Sequence, residues 1–283
     1  MSDTQTSTAI DASFIKHFEA EVHNAYQQQG SKLQGTVRSK SGVKGASTTF
    51  QVLGKSVAAT KTRNAQIATT GVTHTPVECT LTDYYSGQWV DALDEMKVGQ
   101  DERRALALSG AYALGRKTDD LIIAALNTAT QSVTTAASNL TKDLILKAFT
   151  MLNTADVPDD GERYAVVSPQ AWNQLLNIEE FSSANYVGDA YPFLNGSETR
   201  KWMGIVWIMH TGLPVNSGKT GHTCFIYHKT AIGHASGQDI KTDITWHGDY
   251  AAHFVNNMMS QGACLIDNKG VVKMEILDTP STN

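Results

Sequence analysis

Residues 47–83 read STTFQVLGKSVAATKTRNAQIATTGVTHTPVECTLTD, and the way this stretch is accommodated decides the fold. STTFQVL at 47–53 is β-prone, and so is TPVECTLTDYY from Thr75 to Tyr85, where Thr75, Val77, Cys79 and Leu81 share one face by alternation. The pattern predicts a long hairpin-like excursion with a loose tip around Ala58–Gly71. Half of the 37 residues, at about 3.3 Å each, reaches on the order of 60 Å. An isolated two-stranded ribbon is marginal in water. This one is basic, glycine-punctuated and poor in large apolar side chains, so its own contacts do not offset the chain entropy of ordering it. It is either disordered or laid on a partner, which points to assembly.

The charge pattern leads outward from the ribbon. From Val22 to Val77 there is no Asp or Glu, while Lys32, Arg38, Lys40, Lys44, Lys55, Lys61 and Arg63 give the stretch a charge of +7. The whole chain carries −5, so the remainder carries −12. Three readings fit: a solvated face, a nucleic-acid arm, or docking onto an acidic surface of another copy. Tyr26 and Phe50 are the stretch's only aromatics, which argues against single-strand recognition by stacking. Composition does not rank a duplex-facing arm against docking. The negative total predicts no strong attraction of the whole chain to nucleic acid or anionic membrane.

Length and composition set the frame. With 283 residues, 41% hydrophobic and 18% charged, the chain has the make-up of a folded protein with a real core. Cys79, Cys224 and Cys264 are scattered, odd in number and without a CxxC, so no disulfide framework is expected and a reducing cytoplasm suits folding. MSDTQTSTAI has neither a basic start nor an apolar core, so no signal peptide is expected, and apolar runs such as Leu121 to Leu126 are too short to span a membrane.

Along the chain, residues 11–29 read as a helix: Phe14, Phe18, Val22 and Tyr26 recur at i+4, between Asp11 as N-cap and Gly30 as stop. From about Gln100 to Thr128 the pattern is continuously helical, about 42 Å long. Leu108, Tyr112, Leu114, Leu121, Ile122, Ala125 and Leu126 form a broad apolar face, and Gly110 and Gly115 permit close packing against strands. A polar loop at 129–139 precedes a second helix from Thr141 to Asp156. Then follow a turn at Pro158–Gly161, a strand YAVVS, a short helix opened by Pro169, an irregular stretch at 179–200 and a strand at 203–212. From Ile240 onward the chain reads as β, with Asn268-Lys269-Gly270 as a hairpin signal before VVKMEIL. The class is α+β.

Motifs of chemistry are near misses. GLPVNSGKT (Gly212–Thr220) has five residues between its glycines where a phosphate loop has four, and a strand-like run follows it instead of a helix. His210, His222, His228 and His234 lie near Cys224, but His-x-Cys-x-x-x-His lacks a second compact ligand pair. Asp91, Asp94 and Glu95 at i, i+3 and i+4 read as a helix-entry charge cluster rather than an acid/base pair. No catalytic, metal-binding or cofactor-binding set emerges, which favours a structural protein over an enzyme.

Four stretches, in order, resemble the major capsid proteins of podovirus-type tailed bacteriophages with the Hong Kong 97 fold. They are TVRSKSGVKGASTTFQVLGKSVAATK (36–61), VECTLTDYYSGQWVDALDEMK (77–97), ALSGAYALGRKTDDLIIAAL (107–126) and GACLIDNKGVVKMEIL (262–277). The resemblance implies an N-terminal arm over 1–35, an extended β-hairpin loop over 36–88, a peripheral domain from 89–137 and 237–283 with a long spine helix at about 100–128, and an axial domain over 138–236. It also implies a virion subunit that self-assembles into pentamers and hexamers of an icosahedral shell around double-stranded DNA, in the host cytoplasm, with a separate scaffolding protein and a portal. The shell of a cellular nanocompartment (an encapsulin) is the alternative with the same fold. Set beside the charge pattern, the resemblance raises docking above the other two readings. Together they point to Lys44, Lys55, Lys61 and Arg63 for inter-subunit contact and leave open a DNA-facing, interior role for Lys32, Arg38 and Lys40. Lys–Asn cross-linking, as some relatives perform it, would pair Lys55 or Lys61 with Asn256 or Asn257, but no motif here carries that chemistry.

Overall fold

A computed structural model describes residues 27–278 apart from 68, 95–101, 134–137, 179–180, 182–198, 217 and 219. The helix expected at 11–29 lies almost wholly outside the described residues, as do Glu95 and Gly99.

Three sheets and one long helix make up the frame. The ribbon forms as expected: β2 (Ser47–Leu53) pairs antiparallel with β3 (His74–Thr80), from Ser47 opposite Thr80 to Leu53 opposite His74. A four-stranded sheet has the order β1 (Arg38–Lys40), β9 (Ile232–His247), β10 (Ala252–Leu265), β4 (Thr82–Asp91). A five-stranded sheet has the order β11 (Val271–Leu277), β8 (Gly221–His228), β5 (Arg163–Val167), β7 (Ile205–Met209), β6 (Thr199–Trp202).

The long helix α1 spans Glu102–Asn127, within two residues of the expected bounds. Its N-terminal half lies on the four-stranded sheet, where a Cβ on Gly110 would come within 2.1 Å of the Asn257 amide. Gly115 meets not a strand but the chain at Gly30, whose Cα would lie 2.6 Å from its Cβ. Toward the C-terminus Ile122, Ile123, Ala125 and Leu126 enter the main core with the five-stranded sheet, while Leu108 stays 43% exposed. The helix thus spans both sheets.

Helix α2 (Lys142–Thr154) starts at Thr141, whose hydroxyl accepts from the Leu144 N–H. Helix α3 (Pro169–Leu176) starts at Ser168, capping Ala171, with Pro169 at the first helical position. Both pack into a core closed by Trp207, Phe225, Phe181 and Tyr227, all fully buried.

One expected hairpin is absent. Asn268–Gly270 forms a 3-10 turn, but β11 pairs with β8 in the five-stranded sheet and not with β10. The turn passes the chain from one sheet to the other. A two-sheet handover and a hairpin call for the same turn residues, so the local signal did not separate them. The β structure expected from Ile240 also begins earlier, as β9 starts at Ile232 and runs 16 residues.

Candidate functional site

The root of the ribbon rests on a floor of small residues. Gly233, Ala235 and Gly237 alternate along β9 and face the ribbon together with Gly262 and Cys264 of β10. A Cβ on Gly233 would strike the Phe50 ring at 2.7 Å, and one on Gly237 the Leu81 side chain at 2.9 Å. One on Gly262 would lie 2.1 Å from the Thr80 carbonyl oxygen. Phe50 and Cys79 are buried here with Ala235, while Val43, Leu81, Cys264 and Ile266 pack around them. The Leu81 N–H donates to the Ala46 carbonyl at 2.8 Å and closes the root. Thus the ribbon's base is docked on its own chain, because two short apolar strands supply enough contact only over glycines.

Beyond the root, residues 54–67 and 69–73 have no regular structure and are exposed almost throughout. Val57 and Ile67 are 73% and 74% exposed. Lys61 and Arg63 stand in this loop, and Lys44 is exposed in the turn before β2. Lys55 reaches Asp156, just past the end of α2 in the same chain, and the ammonium holds that carboxyl below the usual range. Both side chains are exposed, so the pair contributes little to stability. This part of the ribbon, with Asp156, Pro158 and Lys269, lines a cleft of about 470 Å³.

The interior-facing candidates have local partners. The Arg38 guanidinium lies over the Phe50 ring, 5.6 Å from its centre, and the Lys40 ammonium donates to Thr48 at 2.8 Å. The Lys32 backbone N–H donates to Asp119 at 3.0 Å.

That last contact belongs to an anchor the sequence reading did not identify. Asp119 of α1 is fully buried. Its Oδ1 accepts from Ser31 Oγ at 2.5 Å and the Leu33 N–H at 3.1 Å. Its Oδ2 accepts from Gln28 Nε2 at 2.5 Å, the Lys32 N–H at 3.0 Å and His210 Nε2 at 3.1 Å. Burial pushes this carboxyl up, but the bonds from His210, Ser31, Lys32 and Leu33 outweigh it and hold it below its ordinary value. His210 Nδ1 accepts the Gly212 N–H at 3.0 Å, which leaves Nε2 to donate to Asp119. Leu33 and Val37 are buried in the main core, and Thr36 Oγ1 bonds the Tyr227 hydroxyl at 2.6 Å. Residues 28–37, which span the boundary between the expected N-terminal arm (1–35) and extended loop (36–88), are therefore fastened to the body of their own chain.

The remaining chemical candidates separate. Gly212–Thr220 leads directly into strand β8, with Asn216 Oδ1 accepting the Thr220 N–H. His222 bonds Asp278, His228 bonds Asp160 and Thr230, and His234 bonds Gln261. Cys224 is buried, and burial pushes its thiol to about 12. Among the described residues no three His, Cys, Asp or Glu side chains converge on a metal-sized space. Asp91 ends β4 and its carboxylate accepts the Leu93 N–H. Asn257 lies buried under α1 and accepts from Thr242, which leaves it unfit for a cross-link.

The far end of the β9–β10 hairpin carries an aromatic cluster. The Trp89 ring centre lies 4.6 Å from that of Phe254, 4.8 Å from Tyr250 and 5.1 Å from His247. Trp89, Trp246 and Tyr250 are about half exposed or more. Exposed apolar surface of this kind marks interaction sites.

The docked β-ribbon and the spine helix across two sheets fit the Hong Kong 97-type fold of phage capsid structures. The profile of the phage capsid protein family matches residues 10–278, and the chain belongs to that family. It is a major capsid protein, a structural subunit of the virion shell that associates with copies of itself. The chain is similar to the capsid of cyanophage P-SCSP1u, with a TM-score of 0.77 at 16% identity, covering 98% of this chain and 97% of that one. It is also similar to a chain of Mycobacterium phage Che8, with a TM-score of 0.69 at 20% identity, covering 95% and 98%. The capsid of a native GTA particle gives a TM-score of 0.72 at 11% identity, covering 97% and 100%. No curated protein sequence matches the chain. Family and neighbours favour a phage capsid over the nanocompartment reading.

Proposed function

We propose that the subunit closes an icosahedral shell of pentamers and hexamers around double-stranded DNA, with the tip of its ribbon docked on a neighbouring copy. Assembly takes place in the host cytoplasm with a separate scaffolding protein and a portal, and the chain has no catalytic role. The observation that carries the docking is the loop from Gly54 to Thr73. It is exposed, free of acidic residues, and bears Lys55, Lys61, Arg63, Val57 and Ile67. Such a segment gains order only by covering a surface, and the rest of the chain is acidic. The aromatic end of the β9–β10 hairpin supports the same reading.

In this proposal the peripheral domain is 89–137 and 237–283 with α1 as its spine, and the axial domain is 138–236. The pairing of β11 with β8 ties the end of the peripheral stretch into the five-stranded sheet. Arg38 and Lys40 fix the ribbon root first, and with Lys32 they leave positive charge for phosphate contact without sequence preference.

Reversing Lys55, Lys61 and Arg63 to Glu tests the docking. The triple variant is expected to keep the parent's circular dichroism and to sediment as isolated subunits or capsomers. Particles of normal yield and shape from this variant would sink the docking reading. Assembly before maturation is also expected to weaken with salt, as exposed charge pairs are screened beyond about 8 Å at physiological ionic strength.

A further inference from the structure

We propose that Cys79 and Cys264 form a disulfide within one chain when the protein passes from a reducing to an oxidising medium, and that this bond fixes the ribbon root to the sheet beneath it. Cys79 lies on β3 and is buried, while Cys264 lies on β10 and is partly exposed. Both belong to the cluster that seats the root. Their backbones meet there: Gly262, two residues before Cys264 on the same face of β10, touches the carbonyl of Thr80, which follows Cys79. Cys79 is buried against Ala235 of β9, and Cys264, directly opposite Gly233 of β9 in the sheet, packs on the same cluster. Cys224 sits in the other sheet, fully buried, and is not a competing partner.

The oxidant is a low-molecular-weight disulfide. Cys264, the more accessible thiol, loses its proton and attacks one sulfur of the reagent, releasing one small thiol and leaving a mixed disulfide. Cys79 then loses its proton, attacks the Cys264 sulfur and releases the second small thiol. The protein gives up two electrons and two protons, and the reagent is reduced to two thiols. The Cys264 thiol beside it holds Cys79 below the ordinary thiol value, whereas that partnership and burial push Cys264 up. The first step is therefore slow at neutral pH, and the reducing interior of a cell keeps the pair open. The bond is intrachain, so the inference stands apart from the capsid reading.

The test uses the full-length chain purified under reductant, transferred to oxidised glutathione, alkylated after denaturation and digested without reduction. Mass spectrometry is expected to find one peptide joining Cys79 to Cys264, with Cys224 alkylated. Oxidation is also expected to raise Tm in the parent and to leave it unchanged in Cys264→Ser. Recovery of both cysteines as alkylated thiols, or of Cys264 only as a glutathione adduct, overturns the bond. A linked peptide with no rise in Tm overturns its proposed effect on the root. Both decisive readouts come from the parent chain, so a variant that fails to fold does not spoil them.

Discussion

Gly262→Leu is expected to give a folded subunit that forms no particles. The added side chain meets backbone: its Cβ would lie 2.1 Å from the Thr80 carbonyl oxygen, 3.0 Å from its carbon and 3.4 Å from the Leu81 Cα. Thr80 and Leu81 join β3 to β4, so this joint cannot swing aside as a lysine tip would. It must lift, and Phe50 and Cys79 leave the floor with it. Overpacking of this kind costs about 1–3 kcal/mol. The damage is expected to stay at the ribbon root, because Gly262 faces the ribbon whereas its neighbours Gln261 and Ala263 meet α1 and the main core on the opposite face of the sheet. The effect on assembly is much larger than on the fold, since every copy repeats the defect and shell contacts act together. Sedimentation velocity and negative-stain microscopy read the loss, and circular dichroism reads the fold. Gly262→Ala should act in the same direction. Gly248→Ala, at a position where a Cβ meets open space, is the control. Normal particles from Gly262→Leu would show that the floor does not set the ribbon.

Asp119→Ala is the second large effect, expected to cost about 3–5 kcal/mol, the scale of removing one member of a buried charged network. Five donors lose their acceptor at once, among them two backbone N–H groups that no rotamer change can redirect. Asp119→Asn keeps the volume but puts an NH2 group against two or three of those donors, so it is expected to lose most of the same stability. The readouts are denaturant unfolding and limited proteolysis between residues 28 and 37, which should become cleavable. The carboxyl also sets a pH dependence. Its value in the folded chain lies below the ordinary one of about 3.9. Its contribution is therefore complete above that value and is lost as pH falls through the folded value. Protection of residues 28–37 should persist at pH 5 to 7 and fail only in stronger acid. Unchanged protection in Asp119→Ala would remove Asp119 as the anchor.

The elements that could be read in advance are those defined by their own residues. The spine helix shows itself through unbroken periodicity over Glu102–Asn127, and the ribbon through two β-prone pieces flanking a glycine-bearing tip. The handover to β11 could not be read, because strand partners are chosen by packing and Asn268-Lys269-Gly270 serves either choice. Asp119 was overlooked among the charges of RKTDD. Yet Gly115, Asp119, Ile122 and Leu126 lie three or four apart on one face of the helix. An acid on an apolar face demands partners, and that was the available signal. The floor also left a trace: small residues alternate in Gly233, Ala235 and Gly237, as glycine does in a strand where another backbone comes close. The proposed docking residues Lys44, Lys55, Lys61 and Arg63 rest on charge and exposure alone, and Lys55 has a partner of its own in Asp156.

The strand order has a consequence in time. β1 waits for β9, β4 waits for β10, and β5 waits for β8 and β7. Roughly 160 residues separate the end of β4 from the start of β10, and synthesis at about 5–20 residues per second takes on the order of ten seconds to cover them. Before residue 232 the four-stranded sheet has neither of its two middle strands, and until β10 follows the floor under the ribbon is incomplete. A growing chain therefore carries its ribbon tip well before it has the seat that holds the ribbon in place. The seat and the exposed aromatic end arrive close together and late, once residues 232–265 are made, so a chain stopped short of them has no floor on which to set its ribbon.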